Sequence, residues 1–208
     1  MELIELSPRQ LREIYHTRMK EDFPPSELKP LSTMRTLQKQ GRYQALGLAD
    51  GSALAGYALM WREPEQPFVL LDYLGTDPLR RGQGLGGLFL DLLAEHYRQL
   101  RGILAESEAP ESGEDAGAEL RRRRLGFYAR NGFVYGGYDC ALFGVHYKVL
   151  VRSREPVSRE EVLASHQAIY RSHLPAPLYR RFVRLPLEPG EDIPPALPFR
   201  GDIFHSNP

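Results

Sequence analysis

Apolar and polar residues alternate along the chain with periods that predict short helices and strands. Ser7 and Pro8 form a typical helix start, and apolar side chains then recur at helical spacing. A second short helix is predicted around residues 31–40. Short apolar runs flank the pair Asp50-Gly51, which predicts a hairpin turn.

The central part of the chain predicts a strand, a helix and a second strand. Residues 68–76 (FVLLDYLGT) are almost continuously apolar, which is typical of a strand buried on both faces. Leucines and a phenylalanine between residues 85 and 100 follow the i, i+3, i+4, i+7 pattern of an amphipathic helix. Residues 102–108 (GILAESE) read as a short strand.

The last third predicts a helix, two strands, another helix and a proline-rich end. A helix is expected from about residue 116 to 131, followed by two strands within 133–152 that are separated at Gly136-Gly137. Ser158 and Glu161 form a capping box, which predicts a helix over residues 159–172. Eight of the last 35 residues are proline, so this tail is expected to be an extended arm or largely disordered. We therefore predict one domain over residues 1–152 and a C-terminal helix with a proline-rich extension over 153–208.

Charge and composition narrow the function classes. The 208 residues carry 27 Lys+Arg and 27 Asp+Glu, and this balance argues against a general nucleic-acid binder. The single cysteine, Cys140, cannot form an intrachain disulfide. Charges interrupt every apolar run of the first 15 residues, and no stretch of the chain approaches the roughly 18 apolar residues of a spanning helix. We therefore expect a cytoplasmic protein without a signal peptide, a membrane span or a membrane partner. The histidines lack the spacing of metal ligands, so no metal is predicted.

The glycine-rich segment 77–87 (DPLRRGQGLGG) matches two phosphate-binding patterns. Gly82, Gly84 and Gly87 spell GxGxxG, the pattern of a dinucleotide-binding turn. Such a turn lies between a strand and a helix, as predicted here. Arg81, Gly84 and Gly86 spell a second pattern, [RQ]xxGx[GA]. In both patterns, glycines at a helix N-terminus let backbone N–H groups approach an anionic phosphate.

Three features count against the dinucleotide turn. Five residues separate the predicted strand from Gly82, whereas that turn starts where its strand ends. After the strand at residues 102–108, only one helix and two strands that look antiparallel follow before the chain changes character at Arg154, so further strand-helix-strand units are missing. Around 75 residues of helices and hairpin precede the glycines.

Two segments resemble the motifs of a known family. YLGTDPLRRGQGLGGLFL and FYARNGF (residues 127–133) are similar to motifs A and B of the GNAT superfamily of N-acetyltransferases, and the resemblance covers roughly residues 1–150. It implies an α/β (α+β) fold whose central sheet is mixed and mostly antiparallel, with splayed strands four and five and flanking helices. It also implies acetyl-CoA as co-substrate. The residues implied to bind it are Leu74, Thr76, Arg81, Gly82, Gln83, Gly84, Gly86 and Gly87.

Acetyl transfer to an amine requires a base for the amine proton and an acid for the leaving thiolate. Tyr128 matches the tyrosine of motif B, and the resemblance implies that it is the general acid. Glu106 on the presumed fifth strand is the first candidate for the base. Asp72 is the second, because a carboxylate in an apolar strand needs a partner or a raised pKa. Glu108, two residues after Glu106 on the same strand face, is a further candidate.

One departure from the family pattern keeps alternatives open. Many relatives carry an asparagine between strand five and motif B, where this chain has ESGEDAGAE (residues 111–119). A non-catalytic CoA-binding or interaction protein with the same fold is therefore the main alternative, and a nucleotide-dependent oxidoreductase is a distant third. The acidic stretch is either a solvated loop or an anionic rim that attracts a cationic amine. A small-molecule amine, a peptide amine and a homodimer all remain open.

Overall fold

The computed structural model describes residues 1–25, 27–112 and 117–196. These residues form two compact units. The first comprises residues 1–62 and 71–93, and the second comprises residues 63–70 and 94–196. Each unit is built from part of a β-sheet with helices beside it.

In the first unit, four strands lie side by side in chain order. They are β1 (Glu2–Glu5), β2 (Tyr43–Asp50), β3 (Ala53–Arg62) and the main part of β4 (Phe68–Thr76). β1 pairs antiparallel with β2, and β2 with β3. The chain turns between β2 and β3 at Gly51, whose φ of 60° lies in the left-handed region. The predicted hairpin is therefore confirmed.

The helices of the first unit begin and end at the residues that local chemistry favours. Ser7 caps α1 (Pro8–Ile14) in a capping box with Gln10. The chain continues through a π-helical turn (Tyr15–Met19) into α2 (Lys20–Asp22). α3 (Leu31–Lys39) ends just before Gly41. α4 (Leu85–His96) follows the glycine-rich loop and buries Leu85, Phe89, Leu90 and Leu93.

In the second unit, the strands do not follow chain order. β5 (Gly102–Glu108) pairs with β7 (Val145–Ser153), β7 pairs with β6 (Val134–Leu142), and β6 pairs with the two-residue strand β8 (Val183–Arg184). These three pairs are antiparallel, whereas β5 is parallel to β4, whose first three residues belong to this unit. The helices are α5 (Ala118–Arg130), α6 (Arg159–Arg171) and α7 (Ala176–Phe182). The predicted mixed, mostly antiparallel sheet with flanking helices is confirmed; the splay of strands four and five stays a prediction.

The break between two strands that we predicted at Gly136-Gly137 is wrong. Both glycines lie inside β6, where the register with β7 shifts between Tyr135 and Asp139. Gly137 has a φ of 86°, and a bulge of this kind bends a strand without ending it. The chain turns instead at Phe143 and Gly144, with φ values of 52° and 91°.

Part of the proline-rich tail has regular structure. It contains α7 and β8, and the backbone N–H of Leu187 donates to the carbonyl of Asp139 at 2.8 Å. The following residues up to 196 form no helix or strand. Residues 197–208 lie outside the described part of the chain. The domain division predicted at residue 152 stays a prediction.

Candidate functional site

The glycine-rich loop joins β4 to α4 in the first unit. The Asp77 side chain accepts a hydrogen bond from the backbone N–H of Leu79 at 3.0 Å and so begins a short 3-10 turn. Gly82 and Gly84 follow with φ values of 80° and 77°, a region that disfavours other residues. A Cβ added to either glycine would meet no atom within 4 Å. The surface above the loop is therefore open to a ligand.

The first turn of α4 presents unpaired backbone N–H groups beside this open surface. The N–H of Leu88 bonds to the carbonyl of Gly84 at 3.1 Å, so the amides of residues 85–87 precede the first helical hydrogen bond. The positive end of the helix dipole lies at the same place and favours an anion. This arrangement suits a pyrophosphate group.

Two adjacent arginines precede the glycines of the loop, and their surroundings differ. Arg80 donates to the carboxylate of Asp50 at 2.9 Å. Arg81 is 66% exposed and lies 3.7 Å from Asp22, a loose ion pair. Arg81 is therefore the better placed of the two to contact a bound phosphate. Gln83 is exposed in the same loop.

The accessible face of β4 carries Asp72, Leu74 and Thr76. Leu74 and Thr76 are half-buried and Asp72 keeps only a small exposed fraction, whereas Tyr73 and Gly75, which point the other way, are buried. The ring of Tyr57 covers Gly75 so closely that an added Cβ would lie 2.4 Å from it. A ligand lying along the first unit's part of β4 is thus limited to the face of Asp72, Leu74 and Thr76.

Asp72 already has charged and polar partners. The Nζ of Lys29 lies 2.7 Å from its Oδ2, and both side chains are more than nine-tenths buried. Tyr43 donates its hydroxyl hydrogen to the same oxygen. The Lys29 ammonium also sits 4.1 Å from the ring centre of Trp61, a cation-π contact. The partner that a carboxylate in an apolar strand requires is therefore Lys29, which forms an ion pair with Asp72.

Glu106, on β5 in the second unit, is held by two residues of α6. The Nε2 of His166 lies 2.6 Å from its Oε1, and the Tyr170 hydroxyl contacts Oε1 and Oε2 at 3.0 and 3.1 Å. His166 is completely buried, and its Nδ1 lies 3.1 Å from the hydroxyl of Tyr138. Sequence reasoning missed both α6 residues. Their i, i+4 spacing places them on one helix face but does not show which strand that face meets.

Glu108 and Glu119 form ion pairs with arginines of α5. Glu108 lies 2.8 Å from the Nε of Arg121, and Glu119 lies 3.4 Å from Arg122. The Glu108 pair has little exposed surface, whereas the Glu119 pair is largely solvent-exposed. The predicted acidic rim includes residues 113–116, which lie outside the described residues.

Tyr128 lies on α5 with its ring half-buried. The ring contacts Phe127 and Phe133 edge-on, with centroid distances of 5.3 and 5.1 Å. Burial raises the pKa of its hydroxyl to about 12, and the nearby Arg124 opposes this only in part. Within the described ranges, the hydroxyl has no hydrogen-bond partner. It is thus a protonated donor without a partner.

The predicted site residues divide between the two units. The first unit holds Asp72, Leu74, Thr76 and the glycine-rich loop with Arg81. The second unit holds Glu106, Glu108 and Tyr128. No cluster of three or more His, Cys, Asp or Glu side chains suited to a metal ion occurs among the described residues. Nor does that part of the chain contain a helix with the length and apolarity needed to span a membrane.

Comparisons with known proteins agree with this geometry. Residues 9–133 match the profile of the family described as "Acetyltransferase (GNAT) family". A Bacillus subtilis protein named "Putative acetyltransferase YjbC" is 29% identical over 163 residues, covering 75% of this chain and 79% of the relative. A GNAT-family structure from Bacteroides thetaiotaomicron has a TM-score of 0.63 at 22% identity, covering 81% of this chain and 96% of its own. An aminoglycoside 6'-N-acetyltransferase complexed with coenzyme A has a TM-score of 0.55 at 15% identity, covering 76% and 99%.

Proposed function

Because the chain belongs to the acetyltransferase (GNAT) family, we propose that it transfers an acetyl group from acetyl-CoA to a primary amine. The observation that carries the proposal is the loop after β4, where Gly82 and Gly84 at positive φ leave open space before the free amides of α4. The amine belongs to a small molecule or a peptide. We place the reaction in the cytoplasm.

In this proposal the co-substrate binds along the first unit. The amides of residues 82–87 and the Arg81 guanidinium hold its pyrophosphate. Its pantetheine arm bonds to the backbone of Leu74 and Thr76, on the accessible face of β4. A CoA complex of a structural neighbour supports the choice of co-substrate.

The chemistry proceeds by direct attack. The neutral amine nitrogen forms a bond to the thioester carbonyl carbon, and the carbon–sulfur bond breaks. Glu106 takes the amine proton, directly or through a water molecule. Backbone N–H groups stabilise the oxyanion, and Tyr128 supplies a proton to the departing sulfur. No enzyme-bound acetyl intermediate is required, so the buried Cys140 has no role as a nucleophile.

The raised pKa of Tyr128 sharpens its role. A hydroxyl with a pKa of about 12 is a weaker acid than a thiol, whose pKa is ordinarily about 8.5. Complete proton transfer from Tyr128 to the thiolate is therefore uphill. The hydroxyl therefore donates a hydrogen bond while negative charge develops on sulfur, and transfer of its proton to the sulfur is completed as the tyrosinate regains a proton from water.

A second candidate function is CoA binding without catalysis. Both leading candidates for the base are already engaged: Asp72 by Lys29 and Tyr43, and Glu106 by His166 and Tyr170. These contacts would also suit a protein that keeps the fold for binding alone. Of these two candidates we retain Glu106 as the base, because its partners are a histidine and a tyrosine, whereas Asp72 forms an ion pair with a lysine.

Two measurements test the proposal in sequence. Thermal unfolding is recorded with acetyl-CoA and with NAD, because a ligand that binds only the folded state raises the melting temperature. Thiol release from acetyl-CoA is then followed across a panel of amines and in buffer alone. We expect stabilisation by acetyl-CoA but not NAD, and thiol release with at least one acceptor. Stabilisation without release would favour the binding protein, and stabilisation by NAD alone would overturn both functions.

A further inference from the structure

Both side chains that hold Glu106 come from α6, which begins 26 residues after the family match ends at residue 133. We propose that His166 and Tyr170 are positioning residues for Glu106, so that α6 completes the machinery for proton removal. This inference rests on the proposed function, because it assumes that Glu106 is the base.

The hydrogen bonds leave one carboxylate oxygen better able to accept a proton. Oε1 of Glu106 receives both His166 Nε2 at 2.6 Å and the Tyr170 hydroxyl at 3.0 Å. Among the described residues, Oε2 receives only the longer contact from Tyr170, at 3.1 Å, and it shares that single hydroxyl hydrogen with Oε1. Each carboxylate oxygen offers two lone pairs. Oε2 therefore keeps acceptor capacity, and we assign it as the atom that takes the amine proton.

Tyr138 fixes the orientation of the His166 ring. Its hydroxyl lies 3.1 Å from Nδ1, and donation of that hydrogen leaves Nε2 as the ring nitrogen that bears the proton. Nε2 then donates to Glu106. Because the ring is completely buried and both nitrogens have partners, rotation would break two hydrogen bonds in a space that water does not reach.

Few groups around Glu106 change charge near neutral pH. On α6 it faces His166 and Tyr170. On β6 it faces Tyr138 and Cys140, whose pKa values are both raised, chiefly by burial, so both remain neutral. On β7 its register partner is the apolar Val149. Tyr138 and Cys140 therefore add no charge beside Glu106.

The function of this arrangement is to keep one rotamer of Glu106. A carboxylate on a flexible side chain loses rotamer freedom when it must meet a substrate proton, and fixed donors remove that cost beforehand. The donors also favour the charged carboxylate, which is the form that acts as a base. Removing them should lower kcat while leaving the contacts to CoA in place.

The test compares Tyr170→Phe and His166→Gln with Ser165→Ala as a matched control. Tyr170→Phe removes only a hydroxyl, and His166→Gln retains a possible donor. Ser165 is also a buried residue of α6, but its hydroxyl bonds to Gln66 at 3.0 Å and not to Glu106. Thiol release is measured with the best amine of the panel, or with water if no amine reacts. The readouts are kcat, KM for acetyl-CoA, the pH profile of kcat/KM and the melting temperature.

We expect Tyr170→Phe to lower kcat by about tenfold, with KM for acetyl-CoA unchanged. The acid limb of kcat/KM should move to higher pH by about half to one unit. The kcat of His166→Gln should lie between those of Tyr170→Phe and a His166→Ala variant. Ser165→Ala should keep the wild-type kcat and pH profile. If His166→Gln fails to fold, Tyr170→Phe still decides the question.

The outcomes separate the inference from the proposed function. If Glu106→Gln releases thiol at the wild-type rate, or if the wild type releases none, the proposed function with Glu106 as the base is overturned. If Glu106→Gln is inactive but Tyr170→Phe matches the wild type in kcat and pH profile, the positioning role alone is overturned. Equal losses in Tyr170→Phe and Ser165→Ala, with an unmoved pH profile, would show that α6 acts only through packing.

Discussion

At the scale of single residues, the Tyr128 hydroxyl is a group whose removal should separate chemistry from folding. Tyr128→Phe keeps the ring contacts with Phe127 and Phe133. It removes a hydroxyl that bonds to nothing within the described residues. We expect kcat for thiol release to fall by about 10²-fold while the melting temperature stays near that of the wild type.

Tyr135→Phe is the control for that variant. Tyr135 is an exposed tyrosine whose hydroxyl bonds to Asp139 at 2.8 Å on β6. This change also deletes one tyrosine hydroxyl and should leave kcat intact. Wild-type turnover in Tyr128→Phe would end the assignment of Tyr128 as the acid.

Asp139 gives a prediction for stability against pH. Burial alone would raise its pKa, but hydrogen bonds from Lys148, Tyr135 and His146 outweigh it and hold the pKa below the usual value. A group whose pKa is lower in the folded state stabilises the protein above its unfolded pKa of about 3.9. That contribution is lost as pH falls through the folded pKa.

Lys148, the ion-pair partner of Asp139, determines how the stability of the same pair changes at alkaline pH. Burial lowers its pKa, but the bond to Asp139 outweighs this and raises it, so its contribution is lost as pH rises through the folded value. We expect Asp139→Asn to lower the free energy of unfolding by about 1 kcal/mol at neutral pH. Urea unfolding should show this difference shrinking toward acid pH. A difference that stayed constant down to the acid extreme would contradict the pairing.

The sequence predicts which residues need partners better than it predicts the partners. Asp72 stands out as a charge in an apolar strand, and the structure supplies Lys29, which lies 43 residues away in the chain. Glu106 is met by His166 from a distance of 60 residues. Such contacts depend on tertiary packing, which no local pattern encodes. Tyr128 is different because a short motif around it marks its position.

At the scale of elements, the glycine-rich loop allows a matched pair of substitutions. Gly84 and Gly41 both have positive φ, 77° and 70°, and an added Cβ would meet nothing within 4 Å at either position. Gly84→Ala and Gly41→Ala should therefore each cost about 1 kcal/mol of stability through backbone strain. Only Gly84→Ala should also weaken acetyl-CoA binding, because its methyl group enters the space proposed for the pyrophosphate.

Calorimetric titration with acetyl-CoA, together with urea unfolding, measures both effects. Equal affinity in the two variants would remove Gly84 from the binding site, even if both lost the same stability. A selective loss for Gly84→Ala would place the anion at the start of α4. The comparison works because backbone strain is the same in both variants and only the ligand contact differs.

Helix ends were easier to predict than strand ends. The capping boxes at Ser7 and Ser158 and the glycine after α3 involve residues three or four positions apart, so the sequence alone locates them. The predicted break at Gly136-Gly137 failed because a glycine pair suits both a turn and a bulge. The ladder with β7, which resumes at Asp139 opposite Lys148, makes it a bulge.

At the scale of the whole molecule, the order of elements together with two motifs was enough to predict the fold. The strand order β5-β7-β6-β8 could not be predicted from the sequence, because β8 has only two residues and lies in a proline-rich segment. Composition described that segment as a tail. Composition could not show that its apolar residues are buried.

The packing of the C-terminal segment leads to the last prediction, for a chain that ends at Ser153. This truncation removes α6, which packs onto β6, β8, which pairs with β6, and α7, which packs against α6 and β8. It deletes buried apolar side chains, namely Val162, Ile169, Tyr170, Leu174, Phe182, Val183 and Leu185. Each such side chain contributes at most about 1.5–3 kcal/mol through burial. Their sum is comparable with the whole stability of a domain, about 5–15 kcal/mol.

We therefore expect the truncated chain to be largely insoluble, or to unfold at a much lower urea concentration than the full chain. The apolar face of β6 that α6 covers would be exposed to water, and Glu106 would lose both α6 donors. Expression yield in the soluble fraction, circular dichroism and urea midpoints measure the effect. A soluble truncated chain with the full-length midpoint would mean that residues 154–208 are a dispensable extension, and the role proposed for α6 would then have to rest on kinetics alone.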